Sequence, residues 1–218
     1  MPMKTKILLV DDHPLVREWL ANLINEETDF AVCGHAGSAR EALDLIGKLS
    51  PRLAIVDISL DGGSGLELIK DIKAQNPKVD ALVLSMHDEA LYAERAMRAG
   101  AAGYIMKREA TGKVLEALRT VLAGGLFFSH AVNAQLAQKL VQGGGDKPTV
   151  VEILSDRELE VFQLLGRGYN TRQISEQLNV GFKTVHAYCA RIKEKLNLAN
   201  INELVFHAVR WHESQQPH

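Results

Sequence analysis

KILLVDD, residues 6–12, sets two adjacent carboxylates directly behind four consecutive apolar side chains. A short unbroken apolar run closed by polar residues is the pattern of a strand buried on both faces, with its polar groups at the end of the strand. The same pattern recurs downstream in FAVCGHA (30–36), LAIVD (53–57), VDALVLS (79–85) and GYIM (103–106). Between these runs, residues 14–26, 38–48, 65–75, 88–99 and 111–123 carry apolar residues at three- and four-residue spacing, as Ala42, Leu45, Ile46 and Leu49 do. Strands that alternate with amphipathic helices specify an α/β fold in which a doubly wound, five-stranded parallel sheet is covered on both faces.

In such a sheet the chemistry gathers outside the carboxyl ends of the strands. Asp11 and Asp12 close the first strand, Asp57 the third and Ser85 the fourth, and Lys107 follows the fifth. Crowded carboxylates repel one another unless a hard cation lies among them, and Mg²⁺, which prefers oxygen ligands, suits the set. Phosphoryl transfer then uses every member. The cation and Lys107 neutralise the incoming group, Asp57 attacks it, and Ser85 hydrogen-bonds a phosphate oxygen. The plainer alternative makes Asp11 and Asp12 helix caps, Asp57 a loop residue and Lys107 a solvated charge, which requires separate coincidences at four strand ends.

ILLVDDHPLVREWL (7–20), LAIVDISLDGGSGLEL (53–68), VLSMHDEA (83–90) and AGAAGYIMK (99–107) together resemble, in order and spacing, the receiver domains of two-component response regulators. The resemblance spans about residues 5–122 and implies a flavodoxin-like receiver. By it, Asp57 is the phosphoacceptor, Asp11 and Asp12 are the magnesium-binding acidic pair, the backbone carbonyl of Ser59 is a further ligand, and Lys107 contacts the phosphate. Ser85 and Tyr104 correspond to the switch pair, although Tyr104 fits equally as packed core. Asp61 and Arg108 stand where family members often have proline, so the form of the loop after Asp57, and any cis peptide, stay open.

The remaining length suits a second domain. GGLFFSHAVNAQLAQKLVQGGGDKP (124–148) holds one possible helix (130–141) and ends in Gly143–Gly144–Gly145–Asp146–Lys147–Pro148, a tract unable to hold regular structure. This divides the chain into residues 1–124, a linker at 125–150, and residues 151–218. Beyond the linker the pattern is helical throughout, near 156–166, 171–178, 182–196 and 201–211. Ser155 with Glu158, Asn170 with Gln173, and Asn200 with Glu203 provide capping-box starts.

The chain carries 25 basic and 27 acidic residues, a net charge of -2, which by itself points to neither nucleic acid nor membrane. The charge is nevertheless segregated. Residues 1–124 hold 15 basic and 18 acidic side chains, whereas residues 170–195 hold 5 and 2. Cys33 and Cys189 have no metal-ligand or disulfide spacing. No stretch approaches the ~20 apolar residues of a membrane span, so the expected location is the cytoplasm.

Leu178–Asn179–Val180–Gly181 joins the second and third helices of the all-α region as a helix-turn-helix, whose later helix enters the DNA major groove. Val185, Cys189, Ile192 and Leu196 then face the core, which leaves Lys183, His186, Ala187 and Ala190 outward. Lys183, Arg191, Lys195, Thr171 and Arg172 are candidates for phosphate contacts, with Thr184 beside them. His186 can hydrogen-bond a base edge, and the two alanines can touch thymine methyls. A helical protein-interaction domain with a solvated basic face is the bland alternative.

LSDRELEVFQLLGRGYNTRQISEQLNVGFKTVHAYCARIKEKLNLANINELVFHAV (154–209) resembles the four-helix output domain of the LuxR/FixJ/NarL class. Gly181 replaces the serine that usually caps the recognition helix in that class, at a cost of about a few tenths of a kcal/mol. The combined resemblance implies a transcriptional regulator and not an enzyme, with a sensor histidine kinase and double-stranded DNA as partners and a homodimer as the phosphorylated state. In the class the last helix often supplies the dimer contact, here through Leu204, Val205, Ala208 and Trp211, although Trp211 fits the local core as well. An aspartyl-phosphate phosphatase is the competing enzyme reading. It lacks a general-acid carboxylate two residues after Asp57, where Ser59 stands.

Overall fold

The computed structural model describes residues 4–61, 63–134 and 149–215, which fall into two compact units. In the first unit, β1 (Thr5–Val10), α1 (Pro14–Asn25), β2 (Phe30–Ala36), α2 (Ala39–Leu49) and β3 (Leu53–Val56) lead to a small hairpin of β4 (Ser59–Leu60) and β5 (Gly63–Ser64). There follow α3 (Gly65–Gln75), β6 (Asp80–Ser85), α4 (Glu89–Ala99), β7 (Gly103–Met106), one 3₁₀ turn (Lys107–Glu109) and α5 (Ala110–Leu122). The sheet runs β2-β1-β3-β6-β7 with every pairing parallel. Its order reverses at β1 and β3, which places the switch point between the strands that carry Asp11 and Asp57.

Strand side chains alternate across the sheet, so Ile7, Leu9, Ile55, Leu82, Leu84 and Ile105 share a core with Leu20 and Ile24 of α1 and with Val114, Leu118 and Val121 of α5. Leu8, Val10, Ala54, Val56 and Val83, equally buried, occupy the alternate positions and so face α2, α3 and α4. After α5 the chain remains with this unit. Phe127 pairs with β7 through Tyr104 N donating to Phe127 O at 2.8 Å, and Ser129 N donates to Glu89 Oε1 at 2.8 Å. The expected helix at 130–141 is present over residues 130–134. Its remainder and the tract 143–148 lie outside the described residues.

The second unit contains α6 (Val150–Ile153), α7 (Asp156–Gly166), α8 (Thr171–Gln177), α9 (Phe182–Leu196) and α10 (Ile201–Ser214). The start signals act as the spacing predicts. Ser155 and Glu158, and Asn170 and Gln173, close reciprocal capping boxes. At α10 the box is half closed: Asn200 caps Glu203 N, but the Glu203 carboxylate accepts from Ala199 N, one residue earlier. The short α6, with its own box at Thr149 and Glu152, begins at the last residue of the segment read as linker and runs into the region read as the second domain. Glycine at 166 is required by close packing, because a Cβ there would stand 2.5 Å from the Ala208 carbonyl oxygen of α10.

Candidate functional site

Asp57 follows β3 with its amide donating to Val10 O at 2.8 Å, so the sheet ladder itself fixes the position of the carboxylate beside the end of β1. Lys107 Nζ lies 2.6 Å from Asp57 Oδ2 and 2.7 Å from Asp11 Oδ2. Asp11 and Asp57 are both 3 % exposed. Burial pushes the Asp57 carboxyl up, the neighbouring Asp11 adds to this, and Lys107 opposes it. Burial would lower the Lys107 ammonium, but Asp57 and Asp11 outweigh burial and hold it above its ordinary value.

Three carboxylates face one ammonium here, which leaves an excess of negative charge that a divalent cation would neutralise. Ligand atoms of Asp11, Asp12, His13 and Asp57 all lie within 4.8 Å of one another. Oδ1 of Asp12 is buried and, among the described residues, accepts no hydrogen bond. The His13 Nδ1 lies 2.6 Å away without hydrogen-bonding geometry. An orphaned buried carboxylate oxygen beside two further carboxylates fits a hard cation. Asp11 does support the start of α1, as the plainer reading had it, since its Oδ1 accepts from His13 N at 2.9 Å.

Helix α3 begins directly against the loop after Asp57. A Cβ on Gly65 would fall 1.8 Å from the Asp57 carbonyl oxygen, and Gly65 N donates to Ile58 O at 2.7 Å. The hairpin pairs Ser59 with Ser64 and Leu60 with Gly63, and no peptide bond among the described residues is cis.

Ser85 at the end of β6 is fully buried, and its hydroxyl accepts from His87 N at 3.3 Å. Tyr104 is turned inward and 2 % exposed, with its hydroxyl donating to His87 O at 3.0 Å. Burial, against a hydrogen bond with Ser85, pushes its phenol well above the ordinary range. The His87 ring lies 2.8 Å from Ser59 Oγ through Nε2 and stacks on Tyr92 of α4 at 4.6 Å. His87 therefore bridges the loop after Asp57, Ser85, Tyr104 and α4.

In the second unit, Val185, Cys189 and Ile192 of α9 are buried, whereas Lys183, Thr184, His186, Ala187, Ala190 and Arg191 are exposed together. The turn before α9 holds Asn179 at φ 48°, in the left-handed region that asparagine tolerates. Ser175 Oγ donates to Val180 O at 2.6 Å and pins the turn to α8. Gly181 caps α9 without a side-chain hydrogen bond. Arg172 is exposed and lies 3.3 Å from Glu176, and Thr171 is half-buried at the start of α8. Lys195 is committed elsewhere: its ammonium lies 2.6 Å from the buried Glu158 carboxylate at the start of α7.

The family models match both units: the response regulator receiver domain over residues 7–119, and the luxR family of bacterial regulatory proteins over residues 152–208. This chain is a two-component response regulator with a luxR-type DNA-binding output domain. The transcriptional activator ExaE of Pseudomonas putida is 38% identical to the regulator over 93% of this chain and 95% of its own. The oxygen regulatory protein NreC of Staphylococcus carnosus is 33% identical over 94% and 97%. Among solved structures, RcsB of Salmonella typhimurium is similar at 26% identity over 94% of this chain and 98% of its own, with a TM-score of 0.56.

The structure corrects one implication of the resemblance. Leu204 and Ala208 of the regulator are fully buried in its output domain and cannot form a dimer face, and Trp211 packs edge-on against Phe162 at 5.7 Å. The exposed side of α10 instead carries Ile201 and Phe206, the latter beneath Arg210 at 5.7 Å. The sequence reading of the regulator overlooked His87, Gly65 and Phe182. The dipeptide Ser85-Met86 before His87 gave no signal. Gly65, directly after an N-capping Ser64, was legible as a close approach.

Proposed function

We propose that the regulator accepts a phosphoryl group on Asp57 from the phosphohistidine of a sensor kinase in the cytoplasm, and that this favours a homodimer on paired DNA half-sites. The observation that carries the reading is the buried Asp57–Lys107–Asp11 arrangement, with a buried Asp12 oxygen that accepts no hydrogen bond beside it. Asp11, Asp12, Asp57 and the backbone carbonyl of Ser59 would hold Mg²⁺, which when bound neutralises charge on the phosphoryl oxygens. A carboxylate oxygen of Asp57 attacks phosphorus, the P–N bond of the donor breaks, and its electron pair stays with the kinase imidazole, which takes up a proton. Lys107 stabilises the charge that accumulates on the phosphoryl oxygens. Ser85 turns its hydroxyl from the His87 amide toward the phosphoryl group, and Tyr104, already inward, holds its position against the His87 carbonyl.

On the output domain, Lys183, Thr184, Arg191, Thr171 and Arg172 contact phosphates while His186, Ala187 and Ala190 face base edges, with α9 in the major groove. Lys195 serves this domain chiefly by holding Glu158. The test compares wild type and Asp57→Asn, each with and without beryllofluoride and Mg²⁺, for binding to selected genomic DNA. The expected result is a gain in affinity for paired half-sites in treated wild type alone. An equal gain in Asp57→Asn would overturn the assignment.

A further inference from the structure

The reading face of α9 carries an aromatic pair with a consequence for which bases it can recognise. Phe182, the first residue of the helix, is 50 % exposed, although its ring alone is large enough to be worth burying. It leans edge-on against His186 one turn later, with centroids 4.4 Å apart and planes at 72°. The first turns of a recognition helix are the part that meets base edges. Beyond this pair the exposed face presents Ala187 and Ala190, with Lys183 and Thr184, also exposed, at its start. It has no asparagine, glutamine or outward arginine over residues 182–190 to make the two-pronged contacts by which adenine and guanine are usually distinguished. Besides Lys183 and Thr184, what it offers is apolar surface and one imidazole.

We infer that Phe182 and His186 form a thymine-reading pair, in which the Phe182 ring covers the 5-methyl group of a thymine and holds the His186 imidazole toward the adjoining base. The inference rests on the reading of α9 as the helix that enters the major groove. Contact with the ring edge restricts the imidazole to one orientation, so a single hydrogen bond gains direction that a free histidine lacks. The two alanines extend the same methyl-reading surface. Half-sites rich in A·T pairs follow from this chemistry.

The experiment uses the full chain with beryllofluoride and Mg²⁺ and a duplex recovered by selection from randomised DNA. Each thymine is replaced in turn by deoxyuridine, which removes only the methyl group. Wild type loses roughly fourfold in affinity at one or more positions of each half-site, the equivalent of one buried methyl group. At the position that Phe182 covers, Phe182→Ala binds the thymine and uracil duplexes alike, with an unchanged salt dependence because the phosphate contacts remain. Phe182→Leu, still apolar, keeps most of the discrimination. A thermal melt matching wild type shows that Phe182→Ala is folded. Wild type that ignores every replacement, or Phe182→Ala that keeps the wild-type ratio, overturns the inference and leaves DNA binding intact. Failure to recover or bind any duplex, even at low salt, removes both the inference and the groove reading beneath it.

Discussion

A single ammonium decides whether two buried carboxylates can coexist. With Lys107 replaced by methionine, Asp57 faces Asp11 without its neutralising partner, and burial already pushes Asp57 up. The folded-state affinity of Asp57 for protons then exceeds that of the unfolded chain, so stability increases as pH falls. Without metal, Lys107→Met should therefore be destabilised by about 3 kcal/mol at pH 8 and by clearly less at pH 5. Urea titrations followed by Trp19 fluorescence, in EDTA and in a Trp211→Phe background, measure both. A deficit independent of pH would show that Lys107 acts through packing alone. Gly65 makes an equally local demand, because any side chain there collides with the Asp57 carbonyl at 1.8 Å. Gly65→Ala should cost about 3 kcal/mol or more, since backbone must move. It should also lose phosphorylation by acetyl phosphate on a phosphate-affinity gel. A fully phosphorylated, wild-type-stable Gly65→Ala protein would contradict the geometry.

Elements are tied together at this protein's sites by contacts between distant loops. The Ser59–His87 hydrogen bond closes the rim of the Asp57 pocket between the β3 and β6 loops, and Tyr92 on α4 supports it from behind. With Asp57 as the proposed phosphoacceptor, opening that rim would admit water to its acyl phosphate. Ser59→Ala and His87→Ala should each shorten its half-life by about two- to tenfold, the worth of one hydrogen bond. The double variant should be no shorter-lived than either single one. Additive effects would mean that the two residues act separately. In the output domain, Glu158 joins α7 to α9 through Lys195. Burial raises its carboxyl, but the Lys195 and Ser155 hydrogen bonds outweigh burial and hold it below the usual range. Such a group stabilises the fold above the ordinary carboxylate range, and its contribution is lost as pH falls through the folded value. Glu158→Gln should therefore be less stable at pH 7 and show a shallower acid limb than wild type, read by Trp211 in a Trp19→Phe background. An acid limb as steep as wild type would place the effect in other carboxylates.

At the scale of the whole molecule, what was legible in sequence is what repeats or caps: five apolar runs, nine helices' worth of spacing and three named helix starts specify both units. The carboxylates and Lys107 were legible because strand ends converge by topology, and the family comparison bears out the response-regulator reading of the chain. His87 was not, since its role depends on a loop-to-loop distance that no periodicity encodes. Lys195 read as a phosphate contact because charge is visible in sequence while its buried partner, 37 residues earlier, is not. That reassignment changes an expected number. With Lys195 held by Glu158, each copy offers Lys183, Arg191 and Arg172 to phosphates, so log affinity should fall against log salt with a slope of about -3 for one copy and about -5 for two. If phosphorylation acts by dimerisation, beryllofluoride should move the slope from the first value toward the second on a paired half-site and leave it unchanged on a single half-site. A slope that stays constant while affinity rises would mean that activation frees the output domain without pairing it. Lys195→Met should lower stability but hardly alter the slope, whereas Lys183→Met should reduce it by about 1 per copy bound.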